Sequence, residues 1–418
     1  MRRVLIVAPH FAPISAPDGQ RARMLAPHLR DFGWEPHVLT VDPSAAAAPL
    51  ETGLLETLPD DLPVTRVSAF SARRTRRFGL GNIAWRAWPG LRHAGDRLLG
   101  ERRFDLVYFS TTQFACLPLG RIWQRRHRVP FVVDLQDPWR SDFVHAAGAR
   151  PPGGWKYRFA SFQARLFEPW TLRRCAGVVS VSPDYLDQLK NRYPWWNADR
   201  GTTIPMGWSN RDFSAAVMLH GPFETQSGTI RYLGRLGSDM TSTLEAFLAG
   251  LSKANHDAPD HPLRCEFRGG SYDHTAVTGP VRALATRFGV SQAVTEDPTR
   301  MPYFAALASL RTAGANLIFG SDDSGYAPSK IWLTLAAQRP WLALSRRGTV
   351  LHDLVKPHTG YSGWLVDPTD RDAPESIARF CREFERFQNG CADEPRLVAM
   401  EARELARLHA QFFENVCA

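Results

Sequence analysis

Four short stretches of this 418-residue chain carry the residue types that act on phosphates and hydroxyls. The first is Asp18-Gly19-Gln20, in a Pro-rich loop behind an apolar run and at the start of a helix. Free backbone N–H groups there favour anions or hydroxyl-rich ligands. A plain N-cap role for Asp18 is the favoured reading over a ligand role. The second is Gln136-Asp137-Pro138-Trp139, which follows the apolar run 129–135 and sets a carboxylate beside a ring able to cover a sugar. Asp137 also precedes a proline, as turn formers do. The third is Gly234-Arg235-Leu236-Gly237, a cation directly behind the strand 230–233. The fourth is the polar loop GSDDSGYAPSK, which ends with Ser329 and Lys330 at a helix start. A lysine beside free N–H groups makes a diphosphate site. Asp322 and Asp323 in that loop read as solvated acids rather than as a metal site.

These stretches need scaffolding, and the pattern around them alternates strand and helix. Val4–Ala8, HVLTV, FDLVYF, 129–135 and GVVSVS are continuous apolar runs, as expected of central parallel strands. Between them, apolar spacing at Ala22, Leu25, Leu29 and Phe32 predicts a helix kinked at Pro27 and ended by Gly33. Pro89 is suited to start a helix carrying Leu91, Leu98 and Leu99. Further helices are expected at 113–126, 155–174 and 183–192. Phe159, Phe162, Leu166, Phe167 and Trp170 of the second are expected in a core or an interface. The alternation resumes with strands at 229–233, RCEFRG, 315–319, WLALS and GWLVD, and helices at 241–252, 279–289, 301–308 and IWLTLAAQ. A polar helical tail, 372–416, closes the chain. Residues 44–60 and 214–228 read as irregular. The turn-rich stretch from Thr203 to Arg235 divides two αβ-repeating halves, as in a two-domain α/β protein whose ligands lie at the carboxyl ends of its strands. The first βαβ unit lacks G-x-G-x-x-G, so Asp42 at the end of its second strand is only a weak signal for a dinucleotide.

Length and composition agree with two domains of a globular protein: 44% of residues are hydrophobic and 22% charged. The excess of 51 Lys and Arg over 42 Asp and Glu is local, since Phe70–Arg103 holds nine arginines against Asp96 and Glu101. With Trp85 and Trp88 beside it, this segment suits an anionic membrane surface or a phosphate-bearing partner, or is simply a solvated face. No nucleic-acid-binding pattern accompanies it. The six cysteines are scattered without metal spacing, as in reduced cytosolic proteins. The apolar run at 4–8 is too short for a signal peptide, and no run is long enough to span a bilayer. A cytoplasmic protein is expected, peripheral on the inner face of the cell membrane if the arginines bind lipid.

With these pieces placed, nearly the whole chain resembles GT-B glycosyltransferases, in particular the retaining, nucleotide-sugar-dependent family 4 group. Four matches carry the resemblance: the helix–strand pattern from Arg21 to Thr40, VPFVVDLQDPW, IPMGWSNRDF, and IRYLGRLGSD followed by APSKIWLTLAAQRPWLAL. It implies an α/β fold of two Rossmann-like parallel-sheet domains facing a cleft. Residues 1–212 would bind the acceptor and 213–385 the donor, with 386–418 packing back on the first domain. It further implies metal-independent transfer of a sugar from a nucleotide diphosphate sugar to a hydroxyl acceptor, with no separate cofactor; the basic, Trp-bearing segment suggests that the acceptor is a lipid-linked glycan or glycolipid. On that resemblance Arg235, Ser329, Lys330 and Gly19 would lie around the donor phosphates. Placement behind strands and at a helix start makes Asp137 the candidate catalytic carboxylate, and Asp18, Gln136 and Trp139 the candidates to meet the acceptor. The family's Lys shortly after G-R-L is missing, its acidic pair would fall at Gly325 and Leu333 with Asp322 or Asp323 as out-of-register substitutes, and Gln136 stands where many members carry a His. These departures keep two other expectations open: an inert GT-B scaffold and a GT-B sugar-nucleotide epimerase.

Overall fold

The computed structural model describes residues 1–75, 79–140, 154–259, 263–269, 280–326, 328, 330–360, 362–387 and 395–418. Two compact units result, Met1–Met206 with Ala402–Ala418, and Gly207–Glu401. The boundary expected at 212/213 therefore falls at 206/207, and the returning segment starts at Ala402 rather than at 386. The cause is local. Trp208 donates its indole N–H to the Leu397 carbonyl at 2.8 Å, and the Asn210 N–H reaches the Glu401 carboxylate at 3.2 Å. These bonds hold the start of the helix Asn210–His220, which occupies part of the stretch expected to be irregular.

The first unit is built on seven parallel strands: β1 (Arg2–Val7), β2 (Trp34–Val41), β3 (Val64–Val67), β4 (Leu106–Ser110), β5 (Phe131–Leu135), β6 (Gly177–Ser180) and β7 (Gly201–Thr203), in the order β3-β2-β1-β4-β5-β6-β7. Every residue of β4 and β5 is buried, which is why these strands are written as unbroken apolar runs. Strand β2 starts earlier than the expected HVLTV and includes Pro36. The proline pairs with Val4 of β1, while β3 first pairs at Val38, so its missing N–H lies where β2 has no second neighbour.

One face of this sheet is covered by the helices Ile83–Glu101 and Pro118–His127. Trp123 stacks on Phe109 with centroids 5.9 Å apart, and Gly95 makes room for it: a Cβ there would lie 2.1 Å from the indole. Pro89 does not start its helix. Asn82 does, its side chain accepting the Ala84 N–H at 2.8 Å, and Pro89 sits inside. The first helix is likewise not one kinked rod. It is α-helical over Gln20–Leu25 and 3₁₀ over Ala26–Phe32, because Pro27 has no N–H to continue the α ladder.

The other face of the sheet carries the C-terminal helix Ala402–Cys417. Leu405, Ala406, His409, Ala410 and Phe413 of this helix are buried. Phe413 meets Tyr108 at 5.1 Å and Trp34 at 5.5 Å. His409 keeps its proton on Nδ1, which donates to the Leu405 carbonyl at 2.7 Å, leaving Nε2 to face an Arg21 amine at 3.4 Å. Burial, then the Arg21 charge, lowers its pKa from 6.5 to about 3. Burial, then Arg102, lowers that of His37 to about 4. The unfolded chain takes up these protons below pH 6.5 and the folded chain refuses them, so stability is lost as pH falls from 6.5 towards those values. At pH 5 each histidine costs about 2 kcal/mol. Urea unfolding of the wild type between pH 7 and pH 5 should show this slope, and His409→Gln should remove about half of it. An unchanged slope would mean that His409 is protonated in the fold.

The second unit has six parallel strands: β8 (Gln226–Leu233), β9 (Arg264–Arg268), β10 (Val294–Asp297), β11 (Ala313–Phe319), β12 (Trp341–Leu344) and β13 (Gly363–Val366), in the order β10-β9-β8-β11-β12-β13. Tyr232, Phe247, Phe267 and Phe319 form an aromatic cluster on one face, with Tyr232 stacked on Phe319 at 4.7 Å. Strand β10, at the sheet edge, is short and only half-buried, so no apolar run announces it.

Candidate functional site

Strand order locates a crevice in each unit. In an open parallel sheet, ligands bind beyond the carboxyl ends of the two strands where the winding reverses. These are β1 and β4 in the first unit, and β8 and β11 in the second.

In the first unit the loops after β1, β4 and β5 bring together Asp18, Thr111, Gln136 and Asp137. Asp18 is only 5% exposed, and it does not cap a helix. One carboxylate oxygen receives the Thr111 hydroxyl at 2.8 Å and the other meets His10 Nδ1 at 2.9 Å. Gly19 is fixed by close approach, since a Cβ there would lie 2.5 Å from the His10 carbonyl oxygen. The Gln136 amide donates to Asp134 at 2.9 Å and to Ser110 at 3.1 Å, so it braces the ends of β4 and β5. Trp139 is stacked on Phe114 at 5.5 Å. Asp137 belongs to an exposed residue, but partial enclosure of its carboxyl, and then the nearby Asp18 charge, raise its pKa. A carboxyl pushed upward in this way holds a proton more readily than an ordinary aspartate and is a better proton acceptor.

Beneath this cluster lies a buried pair that sequence reasoning missed. Asp134 and Arg21 are 0% and 2% exposed, with Arg21 Nε 3.2 Å from Asp134 Oδ2. Arg21 also donates to the Ile204 carbonyl at 2.9 Å. His10 and Thr111 were missed as well; the only available signal was their place just behind apolar runs.

In the second unit, β8 delivers Arg235, and the loop after β11 delivers Ser321, Asp322 and Tyr326. Arg235 is held by Asp239 through two bonds of 2.7 and 2.8 Å and lies over the Tyr326 ring at 5.6 Å. The Arg235 hydrogen bonds dominate in lowering the Asp239 pKa to about 2. Asp239 also accepts from the Ser321 hydroxyl at 2.7 Å. This partner was legible as the acid four residues after the arginine. Arg346, behind β12, pairs with Asp322 at 2.9 Å. Asp323 accepts the Gly325 N–H at 2.9 Å, shaping its own turn.

Lys330 precedes a helix of only six residues, Ile331–Ala336, shorter than expected and with little dipole to add. No carboxylate pairs with it among the described residues. Lys330 is exposed as a residue, yet burial of its ammonium, and then Arg300, lower its pKa. Ser329 lies outside the described residues. Asp42, the weak dinucleotide signal, instead accepts the N–H and hydroxyl of Ser44 at 2.9 and 2.6 Å. No group of three or more His, Cys, Asp or Glu among the described residues is arranged to hold a metal.

Residues 19–207 match the family described as the glycosyl transferase 4-like domain. A glycosyltransferase from Rickettsia africae ESF-5 is similar in structure, with a TM-score of 0.58 and 14% identity over 99% of this chain and 98% of that one. Sucrose-phosphate synthase from Thermosynechococcus elongatus aligns at 0.55 and 14% identity, over 100% and 96% of the two chains. A Listeria monocytogenes protein assigned as a UDP-N-acetylglucosamine 2-epimerase aligns at 0.55 and 10% identity, over 99% and 97%. No curated protein matches by sequence. At such identities the likeness establishes the fold, which is the GT-B class of α/β structure expected above.

Proposed function

We propose that this chain, a GT-B protein whose residues 19–207 match a glycosyl transferase 4-like domain, moves a sugar from a nucleotide diphosphate sugar to a hydroxyl acceptor. Lys330 carries this reading: it is a partly enclosed cation with no carboxylate partner among the described residues, behind the carboxyl end of β11. A departing nucleoside diphosphate gains negative charge, and fixed cations stabilise it without needing a metal. Arg235 stands behind β8 and Arg346 behind β12, on the same sheet edge as Lys330, because the strands are parallel. Asp239 offsets the charge of Arg235, which makes Lys330 the larger contributor to anion binding. In the first unit, the cluster of Asp18 and Asp137 would hold the acceptor hydroxyl, with Asp137 taking its proton.

The acceptor we propose is lipid-linked and presented at the inner face of an anionic cell membrane. Support comes from the Arg-rich segment, where Arg73 and Arg74 are exposed. Arg86 is not part of that surface: it is buried and donates to the carbonyls of Phe70 and Ala45. Arg76 and Arg77 lie outside the described residues. No helix among the described residues is long and apolar enough to cross a membrane.

Thermal shift against UDP, GDP, ADP, TDP and their sugars tests the donor site. At a hundredfold excess over Kd the matching nucleotide should stabilise the protein by about 2.7 kcal/mol, and Lys330→Ala or Arg235→Ala should abolish most of that. No response to any nucleotide would support the inert scaffold. The Listeria structure fits as well as a transferase does, so the epimerase reading keeps a direct test: turnover of the donor with no acceptor present.

A further inference from the structure

The helix Gly154–Leu172 has two unlike sides. At about 100° per residue, Ala164, Glu168, Thr171 and Leu172 fall on one side, and all four are buried. Phe159, Phe162 and Leu166 fall on another and are 38%, 64% and 53% exposed. They were expected in a core or an interface, and the core is excluded. Arg158 and Arg165 border this apolar stripe and are exposed too. The only acid from Arg158 to Leu172 is Glu168, which is turned inward and held by Arg192 at 2.9 Å and the Tyr193 hydroxyl at 2.7 Å.

The neighbourhood has the same character. Arg121, on the helix Pro118–His127, lies over the Trp170 ring at 4.3 Å, and exposed Arg173 and Arg174 follow the end of the apolar helix. Phe167 meets Trp85 at 6.0 Å, which joins this helix to the helix Ile83–Glu101 of the Arg-rich segment.

We propose that the Phe159–Phe162–Leu166 face inserts into the interface of an anionic lipid bilayer, with Arg158 and Arg165 at headgroup level. Exposed phenylalanine and leucine flanked on one side by Arg158 and Arg165 match the chemistry of such a surface, with an apolar layer beneath and negative charge at the headgroups. The exposed charged residues among 158–174 are all arginines, which favours a negatively charged surface over a protein partner. The proposal deepens the membrane-presented acceptor suggested above and rests on that reading only there. Insertion would set the first unit, with its Asp18 and Asp137 cluster, at the membrane surface where a lipid-linked hydroxyl is displayed.

The test uses the full chain and vesicles of phosphatidylcholine with or without phosphatidylglycerol, read by flotation. Wild type should float with the anionic vesicles only. Phe162→Glu with Leu166→Glu should weaken binding by about tenfold or more, because each puts a charge where apolar surface must enter the interface. Arg158→Ser with Arg165→Ser should weaken it and flatten its salt dependence. Both double variants should keep the wild-type melting temperature, since all four side chains are exposed. Wild type that fails to float overturns the proposal. So does unchanged binding by the Phe162/Leu166 variant with loss only on replacing Arg73, Arg74, Arg76 and Arg77 by Ser, which would place the contact on the Arg-rich segment alone. Self-association abolished by the Phe162/Leu166 variant, with no lipid binding, would identify a second copy as the occupant and equally overturn it. The nucleotide thermal shift is read on the same samples, so a failed donor site and a failed membrane face remain distinguishable.

Discussion

Asp134→Ala should destabilise the first unit by about 3–5 kcal/mol, the range found when one partner of a buried ion pair is removed. The carboxylate is fully buried and gathers three groups on one oxygen: Arg21 Nε at 3.2 Å, the Ser110 hydroxyl at 3.0 Å and the Gln136 amide at 2.9 Å. Without it, the Arg21 guanidinium stays 2% exposed with the Ile204 carbonyl and a neutral His409 for company. Neither carries a compensating charge. The other Asp134 oxygen has no hydrogen-bond partner among the described residues, so the pair is not at its electrostatic optimum. Replacing both members by apolar residues of similar size should therefore recover most of the loss. Urea unfolding of Asp134→Ala and of Asp134→Leu with Arg21→Met measures both effects. A single variant within about 1 kcal/mol of wild type would show that water or a shifted Arg21 relieves the charge.

Asp137→Asn should lower the rate of sugar transfer by about 10²–10⁴-fold, the usual contribution of a positioned base, while nucleotide binding is unchanged. The substitution keeps the shape and removes the proton acceptor, at a site in the first unit, whereas the proposed phosphate contacts are in the second. The raised pKa of Asp137 adds a signature. The acid limb of kcat/KM in the wild type should lie above the ordinary aspartate range, set by partial burial and by Asp18. Radiolabelled-donor transfer, with thermal shift as control, gives the answer. An unaffected rate would exclude Asp137 as the base and direct attention to His10, whose Nδ1 is already oriented by Asp18.

Much of the architecture was legible in the amino acids. Parallel strands covered on both faces must be apolar along their whole length, so β1, β4, β5 and β11 appear as runs that nothing else explains. The turns behind them were legible for a related reason: a chain leaving a strand for a crossover helix needs Gly, Pro and polar residues, and ligand-binding groups collect there. Asp18, Asp137 and Arg235 were singled out largely on that ground, and each lies behind a strand at a strand order reversal or the strand next to it. Their roles remain proposals.

What a side chain does once placed was decided by tertiary contacts. Arg21, Asp134, Ile204 and His409 are far apart in sequence, and only folding sets them in one buried cluster. Arg86 reads as one more charge in a basic run, yet the fold buries it on two carbonyls. Phe159, Phe162 and Leu166 read as core or interface, and only the fold decides between the two by turning Ala164, Glu168 and Leu172 inward instead. Local spacing carries the period of a helix or a strand, because backbone geometry repeats within a few residues. It does not carry which face meets the rest of the protein, because that depends on surfaces contributed by distant segments. The elements and their turns were therefore written in the sequence, while the partners of its charges and the identity of its exposed apolar face were settled only by packing.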